Sequence, residues 1–404
     1  MIKPLPSPAN GSASTPASTG DFSLVLGGPL YQLLLRTRLA RVPLGLMLRR
    51  VLVITALAWL PLLALSLVEG HAVGGVAVPF LADVEAYARF LIAIPILLVA
   101  ELVVHQRLWR IVDEFRERDI VALSSRPRFD EALAAAMRLR NSTIVEVALL
   151  ILVFVLGPVL WKNGLALHVD TWYARVDAGR SELTGAGVWL AHASIPIFQF
   201  LLLRWYFRLA IWWRFLWQVS RLPLDLKALH PDRAGGLGFL GDSVFAFAPL
   251  LVAQSVLLSG IVFSRVLTGT GTATEFQGEI ALLVTFLVAQ IIGPLLFFTS
   301  GLGQARRRAM HEFGMLATAY ARDFERRWMQ GAPPEADVLL GSADIQSLAD
   351  LASSSDILSG MRSVPFDWRT LFRLVVATSA PFFPLVLTVI PFVELVRRVL
   401  EMMM

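Results

Sequence analysis

The sequence predicts an all-α polytopic membrane protein of about seven transmembrane helices, with its N-terminus cytoplasmic. Three observations predict this class. Hydrophobic residues make up 56% of the 404 and charged residues only 17%, where a water-soluble domain carries about a quarter. Long runs contain no Asp, Glu, Lys or Arg, and a helix needs ~20 apolar residues to cross hydrocarbon. The basic residues fall mostly on alternate connecting segments, as topology requires when Lys and Arg stay inside.

From the N-terminus, Met1 to about Gly28 is rich in Pro, Ser, Ala, Thr and Gly and has no apolar signal-peptide core. It reads as a disordered, uncleaved tail, residues 1–28. Residues 29–50 alternate Leu clusters with Arg36, Arg38, Arg41, Arg49 and Arg50, the pattern of an amphipathic helix lying in an anionic leaflet.

Five spans follow from uncharged runs at Val51 to Val68, Leu183 to Leu203, Ser243 to Ser264, Ile280 to Ala305 and Leu374 to Val393. Two more are each interrupted by one acid: Phe90 to Val104 contains Glu101, and Ile144 to Trp161 contains Glu146. Residues 51–302 thus form a six-span core, 303–366 a cytoplasmic helical segment, and 367–404 the seventh span and C-terminus. With the N-terminus inside, 29 of the 36 basic residues lie on inner segments. Arg397 and Arg398 then fall outside, so the last crossing fits the rule least well and a re-entrant hairpin is the alternative.

The fourth span continues in helical pattern from Gly185 to Arg221, about 55 Å at 1.5 Å per residue, too long for the bilayer alone. The sixth continues past Arg306, Arg307 and Arg308 to Gln330. These extensions predict a cytoplasmic helical layer, with the segment from Gln106 to Arg140 packed against it. Trp205, Tyr206, Trp212, Trp213 and Trp217 read as an interfacial belt mixed with packing in that layer.

Composition also excludes. Without cysteine there is no disulfide, thiolate catalysis or iron–sulfur cluster. Six histidines and the carboxylates are the remaining protein ligands for a metal. The formal charge of +5 reflects inner-loop bias, so no nucleic-acid partner is expected, and no cofactor is implied.

Three places have the residue types for chemistry. The loop after span four reads His230-Pro231-Asp232-Arg233-Ala234-Gly235-Gly236-Leu237-Gly238-Phe239-Leu240-Gly241-Asp242-Ser243. Gly236, Gly238 and Gly241 have dinucleotide-fingerprint spacing, but no βαβ unit surrounds them. His230-Pro231-Asp232 matches the J-domain tripeptide, but without its hairpin of soluble helices. The remaining readings are a glycine turn with Asp242 or Ser243 capping the fifth span, a metal held by His230, Asp232 and Asp242, an anion cradled by the amides of Gly235, Gly236 and Gly238, or a gating or subunit contact.

The second place is within the bilayer. Glu101, Glu146, Arg204 and Arg208 fall at one depth near the inner face, and mutual salt bridging or an ion or proton relay accounts for them. His105 is one turn from Glu101, and His192 reads as a hydrogen-bonded packing residue. The third place is the last span, broken by Pro381, Pro384 and Pro391. Ser379, Thr388 and Glu394 are its pore-lining candidates. The alternative is a lipid-facing helix whose hydroxyls bond their own backbone. Every span contains proline, and kinked helices build pores and alternating-access sites.

Two segments resemble parts of an uncharacterised bacterial family of multi-pass inner-membrane proteins: residues 229–240 of the glycine loop, and Asp344-Ile-Gln-Ser-Leu-Ala-Asp350 with Met361-Arg362 and Val364-Pro365-Phe366. The resemblance implies a bacterial inner membrane and no particular activity. Both segments are cytoplasmic in this topology, so a contact between them is expected. In layout alone, the chain is similar to the seven-span insect chemoreceptor channels, which are tetramers with the last helix lining the pore. The expected function is a homo-oligomeric channel or channel-like transporter for a small ion or solute, in contact with the lipid bilayer. The alternatives are a membrane-embedded sensor or enzyme using the glycine loop, and a structural protein without a site.

Overall fold

The computed structural model describes residues 22–38, 46–164, 170–177, 180–269, 271–330 and 343–389. The helices are α1 (Pro29–Arg36), α2 (Met47–Val68), α3 (Val84–Glu117), α4 (Arg126–Arg140) and α5 (Thr143–Gly164). A hairpin of β1 (Ala174–Asp177) and β2 (Arg180–Leu183) follows, paired antiparallel with Ala174 opposite Leu183. Then come α6 (Gly185–Ser220), α7 (Leu240–Leu267), α8 (Gln277–Trp328) and α9 (Ala343–Ser359). The last, α10, consists of Trp368–Ser379, a 3-10 turn Ala380–Phe382, and Phe383–Val389.

Among the described residues, six helices are long and apolar enough to cross a membrane: α2, α3, α6, α7, α8 and α10. The chain is therefore a multi-pass membrane protein of the all-α class, with one short hairpin among the described residues. The expected third span corresponds to α5, whose apolar side chains are described only as far as Val155.

The centre of the bundle is α3 against α7, the two most buried spans. Their crossing is close because α7 presents Gly260, where a Cβ would lie 2.5 Å from the Cβ of Ala88. Around this pair, α2 packs on α3 and α6, α5 and α4 pack on α6, and α10 packs on α7 and α8. Exposed Leu52, Leu57, Leu60, Ile151, Phe154 and Leu282 give the perimeter its lipid-compatible surface.

Helix starts follow local chemistry. Asp83 accepts from the amides of Glu85 and Ala86 at the head of α3, Thr184 from Gly187 in α6, and Asp367 from Thr370 in α10. The expected cap of the fifth span is not used: α7 starts at Leu240 without a side-chain cap, Asp242 is exposed, and buried Ser243 donates to Leu240 O at 2.6 Å.

The prolines alter helix type. A π-turn, Tyr87–Ala93, immediately precedes Ile94-Pro95 in α3, and another, Leu190–Ser194, precedes Ile195-Pro196 in α6. In α8 the segment Gly293–Phe298 is 3-10, with Pro294 as its second residue. Each proline lacks the N–H that would continue the α ladder, so the adjoining turn widens or tightens instead.

The ends of α3 and α6 pack with α4, the glycine loop and the 3-10 turn of α8 into one layer, whereas the continuation of α8 from Thr299 to Trp328, expected in that layer, buries only Leu302 among the described residues. Phe115 of α3 lies 5.8 Å from Phe129 of α4, 5.0 Å from Phe239 of the glycine loop and 6.4 Å from Phe298 of α8, and Phe129 lies 5.8 Å from Phe215 of α6. Trp205 and Trp212 are buried core residues, and Trp205 donates to Leu97 O at 2.9 Å. Of the five aromatic residues read as a belt, Trp217 is the exposed one.

The N-terminal segment departs from expectation. Phe22, Ser23, Leu24 and Val25 are buried, so the tail reading up to Gly28 fails for these residues. Phe22 stacks on Phe215 at 5.9 Å, and the Ser23 hydroxyl lies 3.0 Å from His105 Nδ1. Arg140 donates to Ser23 O. The segment fills a cleft between α3, α4 and α6.

Candidate functional site

The predicted charges come together at the basic end of the bundle, with one addition. Glu101 of α3 receives Arg50 Nη2 at 2.6 Å, Arg208 Nη2 at 2.8 Å and Arg204 Nη1 at 3.4 Å. Arg204 Nε also lies 3.3 Å from Glu146 Oε1 of α5. The second Glu146 oxygen accepts the Leu30 amide at 2.7 Å, so it caps the first turn of α1. Arg204 reaches Gly27 O, and Asn141 accepts the Gly28 amide. Gly28 has φ +86°, and a Cβ there would lie 2.8 Å from Glu146 Oε1, so the turn into α1 requires glycine.

This cluster ties α2, α3, α5, α6 and the N-terminal segment together. All five of its side chains are buried, and their formal charge is three positive against two negative. At its edge, burial together with the nearby Arg208 guanidinium pushes Arg140 down to about 10, so Arg140 remains charged at neutral pH. The alternation of Leu clusters with arginines assigns Arg50 to the interfacial helix of residues 29–50, but it belongs to α2. Only the packing of α2 on α3 shows that it faces inward.

The glycine loop closes on itself. Asp232 accepts the amides of Ala234 at 2.8 Å, Gly236 at 3.2 Å and Gly238 at 2.8 Å. His230 Nδ1 lies 2.9 Å from the same carboxylate. Burial acts to raise the Asp232 pKa, but the three amides outweigh it and hold the carboxyl below its ordinary value. Gly235 and Gly236 have φ +65° and +94°, which turn these amides inward.

The cradle read for an external anion is therefore filled by Asp232. Nor do three metal ligands converge: among the described residues no group of three His, Asp or Glu side chains is placed to hold a metal ion. His230 and Asp232 are adjacent, and Asp242 is not brought to them.

The contact expected between the loop and the segment after α9 is present. Arg362 donates its amide to Arg233 O at 2.7 Å and Nη2 to Asp232 O at 2.8 Å. Space for Met361 and Leu302 is left by Gly235, where a Cβ would approach both to about 3.2 Å.

In α10, Ser379 is half-buried, while Thr378 is buried and donates to Leu374 O at 2.8 Å. Ser259 of α7 donates to Pro381 O at 2.6 Å across the 3-10 turn. The outward side of α10 shows Phe372, Val376, Phe383 and Val386. The Thr388 side chain and Glu394 lie outside the described residues. His192 is exposed and its Nδ1 lies 2.9 Å from Val188 O, so it is hydrogen-bonded but not packed. No protein-family model, curated protein or solved structure matches this chain.

Proposed function

We propose that this chain is a homo-oligomeric helical channel or channel-like transporter of a bacterial inner membrane, with the Glu101 cluster as its closed-state latch. In this reading α5 is the seventh crossing, and the basic end of the bundle faces the cytoplasm. One relationship carries the proposal. The two helices joined by the Glu101–Arg204 and Glu101–Arg208 ion pairs are, among the described residues, the two that contain π-turns followed by proline. From Pro95 to Glu101 is about 9 Å along the helix, and from Pro196 to Arg204 about 12 Å. π-turns mark places where a helix bends, and buried ion pairs in a membrane protein commonly line transport paths. Hinged helices latched beyond their hinges form a two-state element.

Assembly is supported by α8. Its segment Thr299–Trp328 buries only Leu302 among the described residues, exposes Met310 and Met315 along a shallow groove, and exposes Leu316 outside it. A long helix with an uncovered apolar stripe suits contact between copies. In such an assembly α10 is the helix assigned to the conduit, with Ser379, Thr388 and Glu394 along it.

The test is efflux from vesicles of phosphatidylethanolamine and phosphatidylglycerol containing the full chain, scored for potassium, chloride and small neutral solutes, with native mass spectrometry for copy number. Glu101→Gln is expected to raise flux by about tenfold, the effect of ~1.4 kcal/mol on a two-state equilibrium. Vesicles that remain tight with both wild type and Glu101→Gln rule out conduction and leave a structural membrane protein.

A further inference from the structure

We propose that Arg233, Arg306 and Arg362 form a phosphate-binding site around the turn Ser359–Arg362, where α8 leaves its apolar stretch. The three residues come from three elements. Arg306 of α8 donates Nη2 to Ser359 O at 3.0 Å. Arg233 of the glycine loop runs along Gly360, where a Cβ would lie 3.3 Å from its Nε. Arg362 is held to the same loop through Arg233 O and Asp232 O. Three guanidinium groups thus gather on one four-residue turn.

Their charge is not held in direct ion pairs. Among the described residues none of the three makes an ion pair. The two neighbouring carboxylates make their hydrogen bonds elsewhere, Asp232 to three loop amides and His230 and Asp367 to the Thr370 amide, and of the two Asp367 acts on Arg362 through its charge alone. The C-terminus of α9 contributes about half a negative charge, which offsets one sixth of the positive total. Among the described residues, Arg306 Nε and Arg362 Nε are both buried and without a hydrogen-bond partner. Buried donors are nearly always satisfied in native proteins, and these two N–H groups lie beside the same turn as the arginines without ion pairs.

The ligand chemistry follows from the donors and the depth. Planar guanidinium groups bind tetrahedral phosphate oxygens through paired N–H donors. Arg306 opens the run Arg306-Arg307-Arg308 directly after the uncharged stretch ending at Ala305, which sets the site at headgroup level, where basic pockets take anionic lipid headgroups. The shared chemistry is a phosphate group, free or esterified to lipid. This site does not depend on conduction.

The test uses the full chain in neutral detergent, with thermal-shift titration and native mass spectrometry against dioctanoyl phosphatidylglycerol, dioctanoyl phosphatidylcholine and inorganic phosphate. Phosphatidylglycerol is expected to stabilise the protein and to be retained as an adduct, phosphatidylcholine to do neither. Stabilisation by inorganic phosphate, with displacement of phosphatidylglycerol, identifies a free-phosphate site. Response to phosphatidylglycerol alone identifies a headgroup site. Arg306→Gln and Arg233→Gln are each expected to weaken binding by at least about tenfold, while Arg326→Gln/Arg327→Gln at the far end of α8 has no effect. Because Arg233 is exposed and makes no side-chain hydrogen bond among the described residues, Arg233→Gln decides the matter if Arg306→Gln does not fold. The proposal is overturned if neither probe stabilises the wild type, or if Arg233→Gln responds as the wild type does, which would leave the arginines as a cap on α9.

Discussion

Arg50 Nη2 lies 2.6 Å from Glu101 Oε2, and the two side chains are 2% and 5% exposed. The pair joins the first span to the central helix at the same point where Arg204 and Arg208 arrive from α6. Removing one member of a buried ionic group leaves the others uncompensated, which typically costs ~3–5 kcal/mol. Glu101→Leu is therefore expected to be the most damaging single change here, because it leaves three guanidinium groups with Glu146 as the one remaining acid of the cluster. Arg50→Met leaves Glu101 with two partners and should cost less. Thermal unfolding in detergent gives the order, and equal losses for the two variants contradict the central position of Glu101.

Phe22 is expected to behave as a core residue despite its place in the chain. It is buried against Phe215, and Phe→Ala in a core costs about 3–5 kcal/mol. A large fall in Tm for Phe22→Ala, together with faster proteolysis near Arg140, is the expected result. An unchanged Tm shows that the segment does not hold the bundle together.

Asp232 gives the glycine loop an acid sensitivity of known sign. Its carboxyl is held below the ordinary aspartate value in the fold, and an unfolded aspartate titrates near ~3.9. Its contribution is complete above that pH and is lost as pH falls through the lowered folded value. Asp232→Asn keeps one acceptor oxygen but removes the titration. The wild type should therefore lose its stability advantage over Asp232→Asn as the medium is acidified below about pH 4, measured by Tm against pH. Asp232→Ala leaves three amides without their acceptor and should be the less stable variant at neutral pH.

Gly260 sets the distance between α7 and α3. A Cβ there meets Ala88 at 2.5 Å, and both atoms belong to rigid parts of their helices. Gly260→Val forces the two central spans apart, at a cost of about 1–3 kcal/mol for overpacking. Ala88→Gly in the Gly260→Ala background should recover part of the loss, and the double-variant Tm tests this.

The class of the protein, the approximate positions of its spans and the shared depth of Glu101, Glu146, Arg204 and Arg208 were legible along the chain, because the bilayer imposes length and charge rules that act on one segment at a time. The extended ends of α6 and α8 were legible for the same reason. The meeting of the glycine loop with the segment around Met361 was anticipated from their common side of the membrane. Which partners each group takes was not legible. Arg50 has the sequence of a headgroup anchor, Phe22 lies within a polar, small-residue stretch, and Asp232 has the spacing of a metal ligand. Only tertiary packing turns Arg50 onto Glu101, inserts Phe22 beside Phe215 and folds Asp232 onto its own amides. Span positions follow from the transfer of single segments between water and hydrocarbon. Pairing of buried charges depends on rotation and neighbour choice, which only the close-packed helices decide.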